Sequence, residues 1–152
     1  MKTELKKLET KNHETIAKLI FQEWKERGTP ETLDWCKKYL QKGHSIEITK
    51  EQFFEIRKDN QLVGLVAAVI INHYLAELRD LVVLPEYRKS GIGKEVIPKV
   101  VEWCKENGAK KVHAQIYVPH FNWFLELGFK KEGELKDHFR KNEIVIEVAK
   151  EL

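Results

Sequence analysis

The spacing of apolar residues changes period twice along this chain, and those changes mark its elements. Ile16, Leu19, Ile20 and Trp24 recur at helical spacing, predicting a helix from His13 to about Arg27. Asn12 is its N-cap and Gly28 its stop. A short strand is expected before it, over Thr3 to Leu8. Thr29-Pro30-Glu31 opens a second helix with proline in the first turn. Leu33, Cys36 and Leu40 form its buried stripe, and Gly43 ends it.

Strand patterns follow. Gln52 to Lys58 reads as a strand, with Asp59-Asn60 as a turn. Leu62 to Ile71 is almost uniformly apolar, as expected of a central strand covered on both faces, and Gly64 marks a bulge within it. A further strand runs from Leu75 to Val83, stopped at Leu84-Pro85. A helix from Gly91 to Asn107 carries Ile92, Val96, Ile97, Val100, Val101 and Cys104, capped by Gly108. Pro98 lies inside it and is expected to cost a hydrogen bond or bend it. Lys111 to Tyr117 alternates, with Val112, Ala114 and Ile116 on one face and His113, Gln115 and Tyr117 on the other. A short helix over Pro119 to Leu127 and strands over Phe129 to Glu134 and Glu143 to Ala149 complete the order β-α-α-β-β-β-α-β-α-β-β. That is a mixed α/β arrangement in a single domain, 1–152.

Composition narrows the function. Hydrophobic residues are 42% and charged residues 34% of the chain, which argues for a globular domain over a disordered one. Lys and Arg number 27 against 24 acids, and the resulting +3 is too small to argue for nucleic acid. Cys36 and Cys104 have neither metal spacing nor a CxxC arrangement and read as packed thiols in a reducing compartment. The polar N-terminus offers no secretory h-region, and Leu62 to Ile71 is too short for a membrane helix, so a cytoplasmic protein is expected. His13, His44, His73, His113 and His138 are scattered without ligand spacing, so no metal is expected.

One segment carries chemistry. A strand, then Arg88-Lys89-Ser90-Gly91-Ile92-Gly93, then a helix is an arrangement for anions. The first helical turn has free N–H groups and the positive end of the macrodipole. Gly91 and Gly93 keep side chains away from those amides. Arg88 and Lys89 add charge suited to a pyrophosphate, and Ser90 adds a hydroxyl. Ordinary turn glycines beside a solvated basic pair would look similar. The GxGxxG and Walker patterns are absent.

The wider segment Leu81-Val82-Val83-Leu84-Pro85-Glu86-Tyr87-Arg88-Lys89-Ser90-Gly91-Ile92-Gly93-Lys94 closely resembles the central motif of the GNAT superfamily of acetyl-CoA-dependent acetyltransferases. Trp123-Phe124-Leu125-Glu126-Leu127-Gly128-Phe129 is similar to that family's FYxxxGF segment. The resemblance implies a mostly antiparallel sheet of six to seven strands with about four helices on both faces. It implies acetyl-CoA as co-substrate, with pyrophosphate on Arg88, Lys89, Ser90, Gly91, Ile92, Gly93 and Lys94. Pantetheine would pair with the backbone of Leu81, Val82 and Val83 in a gap between the strands Leu75–Val83 and Lys111–Tyr117, and Asn122 would lie near the cofactor. The acceptor implied is a primary amine on a small molecule or protein, with direct transfer; a homodimer is compatible. The alternative is an acyl-CoA-binding regulatory or sensor domain with little catalysis.

The chain departs from the family at two points. Phe124 stands where the family often has a tyrosine that protonates the CoA thiolate, and Tyr117 stands where it often has an asparagine. Tyr117, His120 and Asn122 are the substitutes at hand. Carboxylates on the Leu75–Val83 strand serve as bases in relatives, which points to Asp80 and Glu77. Strict alternation puts Glu77, Arg79, Leu81 and Val83 on one face and Leu78, Asp80 and Val82 on the other. Both acids face one pocket only if a bulge intervenes.

Overall fold

The computed structural model describes residues 4–43 and 50–152. The chain divides into two compact units, one ending at Glu47 and a larger one from Ile48 onward. In the first, α1 (His13–Glu26) follows a 3-10 turn over Thr10–Asn12, and α2 (Leu33–Lys42) follows it. Trp24 packs against Trp35 at 5.6 Å between ring centres, and Trp35 stacks on Tyr39 at 5.2 Å. The two indoles therefore join the helices to each other, as core residues do.

Two expectations are corrected here. No strand forms over residues 4–8, the described portion of Thr3 to Leu8. Leu5 and Leu8 are three apart rather than alternating, and Leu5 is fully exposed, so neither buries a strand face. The second helix begins at Leu33 rather than at Pro30, because Thr32 is its cap: Thr32 Oγ1 accepts the Trp35 N–H at 3.1 Å. Asn12 sits at the N-cap of α1 but makes no side-chain capping bond.

The larger unit contains β1 (Lys50–Lys58), β2 (Gln61–Ile70), β3 (Leu75–Val83), α3 (Ile92–Glu106), β4 (Lys111–Tyr117), α4 (Phe121–Glu126), β5 (Lys130–Lys136) and β6 (Ile144–Glu151). The strands form one sheet in the order β1-β2-β3-β4-β6-β5. Only β3 and β4 run parallel, joined by the crossover through α3; the other pairs are antiparallel. Asp59 and Asn60 both have positive φ, as the tight β1–β2 hairpin requires. Val66 to Ile70 are all buried, so the apolar run is a central strand covered on both faces. Val66, Ala68, Leu78, Val112 and Ala114 pack with Ile97, Val100, Val101 and Cys104 of α3. Helix α3 runs on through Pro98 without interruption.

Two register shifts shape the centre. Between Ile56 and Arg57 the partner on β2 jumps from Gly64 to Leu62, leaving Val63 as an extra residue. A Cβ on Gly64 would lie 2.3 Å from the Val82 carbonyl oxygen, a backbone atom. Only glycine allows β2 and β3 to approach this closely. Gly64→Ala is expected to cost about 1–3 kcal/mol, read as a lower denaturant midpoint.

Candidate active site

The second register shift lies on β3. Arg79 pairs with Ala67 and Val82 with Leu65, so Asp80 and Leu81 together oppose Val66. Asp80 has φ +54, the left-handed conformation that an aspartate adopts more readily than most residues. The bulge reverses the parity of the strand beyond it. Ala76 and Leu78 lie in the core before it, and Leu81 and Val83 pack against the same core after it. Strict alternation therefore does not hold through Asp80: Leu81 and Val83 no longer share a face with Glu77, and Val82 is left half-exposed.

Just below the bulge the sheet opens. β3 and β4 pair from Leu75↔Lys111 to Leu78↔Ala114 and no further. Beyond that rung β3 stays with β2 to Val83, while β4 stays with β6 as far as Tyr117↔Val145. The facing backbone edges of residues 79–83 and 115–117 have no ladder partner among the described residues. These are donors and acceptors awaiting an extended, amide-bearing partner.

The wide end of this fork meets the glycine loop. A 3-10 turn over Pro85–Tyr87 leads into it. The Arg88 Nε–H donates to the Val83 carbonyl at 2.8 Å, tying the guanidinium to the end of β3. The Ser90 hydroxyl donates to the Tyr87 carbonyl, and the Tyr87 hydroxyl to Gln61 Oε1 at 2.8 Å. Gly91, with φ +84, starts α3, and open space lies where its Cβ would be. The first intrahelical bond runs from Glu95 N–H to the Gly91 carbonyl, so the amides of Ile92, Gly93 and Lys94 have no intrahelical acceptor. A Cβ on Gly93 would approach the Trp123 ring to 3.2 Å; α4 thus seats its indole on the first turn of α3. Lys94 turns to Glu126 of α4 at 2.5 Å, and the Ile92 side chain is buried. Asn122 is exposed in the first turn of α4.

The fork brings some expected side chains together and separates others. Tyr117, 40% exposed, closes β4 on the far arm. Asp80 is exposed on the near arm. Phe124 is 3% exposed, with its ring centre 4.3 Å from Trp123 and 5.0 Å from Phe129, so it belongs to the core. Glu77 stands below the bulge and pairs across the sheet with His113. His113 Nε2 lies 3.0 Å from Glu77 Oε2, while Arg79 Nε holds Glu77 Oε1 at 2.6 Å. The histidine contact is close in distance but not aligned as a hydrogen bond. In the sequence His113 is one of several scattered histidines. Its strand parity with Gln115 and Tyr117 is visible there, but its register with Glu77 exists only in the folded sheet.

His113 foremost, then Arg79, hold the Glu77 carboxyl down at about 2 against the opposing effect of burial. Its folded value thus lies below the ordinary 4.5, so the stabilisation is complete above about pH 4.5 and is lost as the pH falls towards 2. Glu77→Gln is expected to remove about 3 kcal/mol at neutral pH. Unfolding curves of parent and variant, measured from pH 7 down to pH 2, should converge at the acid end. The thiols offer no nucleophile: Cys36 and Cys104 are buried, and burial pushes Cys104 up to about 11.

Comparison with known proteins agrees with this fold. The sequence model of the Acetyltransferase (GNAT) family matches residues 10–129. The uncharacterized N-acetyltransferase YobR of Bacillus subtilis (strain 168) is 34% identical over 91 residues, which are 58% of this chain and 36% of that protein. A putative [ribosomal protein bS18]-alanine N-acetyltransferase of the same organism is 26% identical over 93 residues, covering 59% of this chain and 61% of its own length. The chain spans less than two thirds of the length of these curated relatives. Among solved structures, an aminoglycoside 6'-N-acetyltransferase complexed with coenzyme A superposes with a TM-score of 0.60 at 16% identity, over 98% of this chain and 95% of that one. A GNAT family acetyltransferase from Elizabethkingia anophelis with acetyl-CoA bound gives 0.62 at 16% identity, over 82% and 93%. Likeness at such identities concerns the fold.

Proposed function

This chain belongs to the acetyltransferase (GNAT) family, and from that premise we infer that it is an N-acetyltransferase moving an acetyl group from acetyl-CoA directly to a primary amine. The observation that carries the reading is the fork between β3 and β4 opening onto the free amides at the start of α3. An amide-bearing pantetheine arm matches the open edge of β3 along Leu81, Val82 and Val83, whose other edge is paired with β2. The Val83 carbonyl is already occupied by Arg88 and the Val82 carbonyl faces Gly64 of β2, so on this edge Val83 has its N–H to offer. A pyrophosphate matches the amides of Ile92, Gly93 and Lys94, with Arg88 and Lys89 as counter-charges and Gly91 leaving the approach open. Ser90 serves the loop's own turn, and Lys94 braces α4 through Glu126. Asn122 stands at the edge of this cradle.

Acetyl-CoA supplies the activated thioester. The protein supplies proximity, because one fork holds both reactants. Tyr117, on the far arm, is placed to give a proton to the departing thiolate in place of the buried Phe124. Asp80, exposed on the bulge, attracts the cationic acceptor. Two buried free thiols suit a reducing cytoplasm. Relatives carry names that specify amino-acid, ribosomal-protein alanine, aminoglycoside and spermidine acetyltransferases, so an amine acceptor fits their company.

The experiment is free-thiol release from acetyl-CoA with a panel of amines, beside calorimetric titration with coenzyme A. Acceptor-dependent release is expected. Binding without release from any amine would instead support an acyl-CoA-binding regulatory domain, the reading that Phe124 favours. Absence of binding would overturn both.

A further inference from the structure

The Glu77–His113 pair is the third of the four rungs that join β3 to β4, so the strands separate just past the next rung. Its neighbours Ala76, Leu78, Val112 and Ala114 are buried in the core. Both side chains therefore leave the sheet on the opposite face, which His113 shares with Gln115 and Tyr117 up the arm of the fork. Each keeps about a fifth of its surface exposed, 18% for Glu77 and 20% for His113. The imidazole meets the carboxylate on one side. Its Nε2 is the buried nitrogen, turned to the carboxylate.

We propose that His113, oriented by Glu77, is the group that takes the proton from the acceptor ammonium before transfer. The proposal rests on the acetyltransferase reading above. Glu77 is ionised throughout the working range and holds protons too weakly to take one from an ammonium. A neutral imidazole carries one nitrogen that accepts a proton, as general-base catalysis requires. With the ring proton on Nε2 towards Glu77, Nδ1 is the accepting atom. The ammonium gives a proton to Nδ1, and the neutral amine forms the C–N bond at the thioester carbonyl carbon. The C–S bond breaks, the thiolate takes the Tyr117 proton, Tyr117 takes up the second nitrogen proton, and the imidazolium releases its own to solvent. The sum is amide, thiol and one proton.

The charges around the ring leave this role open. Arg79 of β3 is engaged by Glu77. Lys111, two residues along β4, is engaged by Glu132 of β5 at 2.5 Å, and faces Glu151 of β6. Glu147 of β6 accepts from Gln115 at 3.0 Å. On β2 the residue beside Glu77 is Val69, apolar and buried. Glu77 is thus the charged group in direct contact with the imidazole among the described residues.

The test uses acetyl-CoA and whichever panel amine the parent acetylates fastest. His113→Gln is expected to lower kcat/KM by about 10²–10⁴-fold and to remove the acidic limb of its pH profile, with coenzyme A affinity kept. Glu77→Gln is expected to lower kcat in the folded enzyme with coenzyme A affinity kept, because the ring loses the anion that orients it; a purely structural pair would leave the kcat of the folded enzyme unchanged. A His113→Gln protein that is folded and keeps the parent's rate and profile overturns the proposal while leaving the acetyltransferase reading intact. So does loss of the limb in Asp80→Asn instead. A parent that releases no thiol with any amine overturns both. If His113→Gln does not fold, Glu77→Gln decides, and an unchanged kcat counts against the proposal.

Discussion

Gly91→Glu is expected to abolish coenzyme A binding in a chain that still folds. Gly91 has φ +84 and begins α3 with open space where its Cβ would be, so a side chain meets strain but no collision. That strain is worth about 1–2 kcal/mol. The introduced carboxylate would settle against the same free amides of Ile92, Gly93 and Lys94 that a pyrophosphate needs, since an anion is favoured at a helix N-terminus. It would both occupy the cradle and repel the ligand. A loss of about 100-fold or more in affinity, roughly 3 kcal/mol, is expected by calorimetry. Gly91→Ala, which brings the strain without the charge, should retain most of the binding. Equal affinity in Gly91→Glu and parent would mean that the pyrophosphate lies elsewhere.

The second large effect is on stability. Phe124→Ala should cost about 3–5 kcal/mol, the range for emptying a buried aromatic site. Phe124 is 3% exposed and lies between Trp123 and Phe129. Its carbonyl accepts the N–H groups of Leu127 and Phe129, so the same residue ends α4 and starts the last hairpin. Chemical denaturation reads the loss as a lower midpoint. The damage should also reach the anion loop, because Trp123 covers the Gly93 turn. Coenzyme A affinity should then weaken in the folded fraction. Intact stability would show that the ring is not the keystone of this cluster.

Much of the architecture is legible in periodicity. The strands β3 and β4 have the bounds that alternation predicts, and α3 differs by a residue at each end. Those elements are long, regular and bounded by glycine or proline. The glycine loop is legible because its chemistry is local: donors, cations and missing side chains lie within a few residues. The expectations that fail do so for different reasons. Leu5 and Leu8 are apolar but have no face to bury, and Pro30 suits a helix start although Thr32 supplies the cap. Pairing is what the sequence does not show. The parity reversal at Asp80 depends on β2 being one residue short opposite it, and the meeting of Glu77 with His113 depends on the register across a parallel junction that spans α3. Neither fact is written in neighbouring residues.

The four-rung junction also bears on how the sheet assembles. β1, β2 and β3 follow one another as a meander, and β5 and β6 are joined by a short connection, so these pairings form from contacts close in sequence, whereas β4 reaches β6 past the intervening α4 and β5. The β3–β4 seam likewise closes over a crossover of more than twenty residues, and its ladder stops after Leu78↔Ala114. It closes over a span like that of the β4–β6 pairing, but with four rungs against seven. The sheet is two half-sheets basted together at one end. A molecule lying in the opening and bonding both edges would finish the ladder that the chain leaves incomplete. Ligand binding would then be, in energetic terms, the closing step of folding itself.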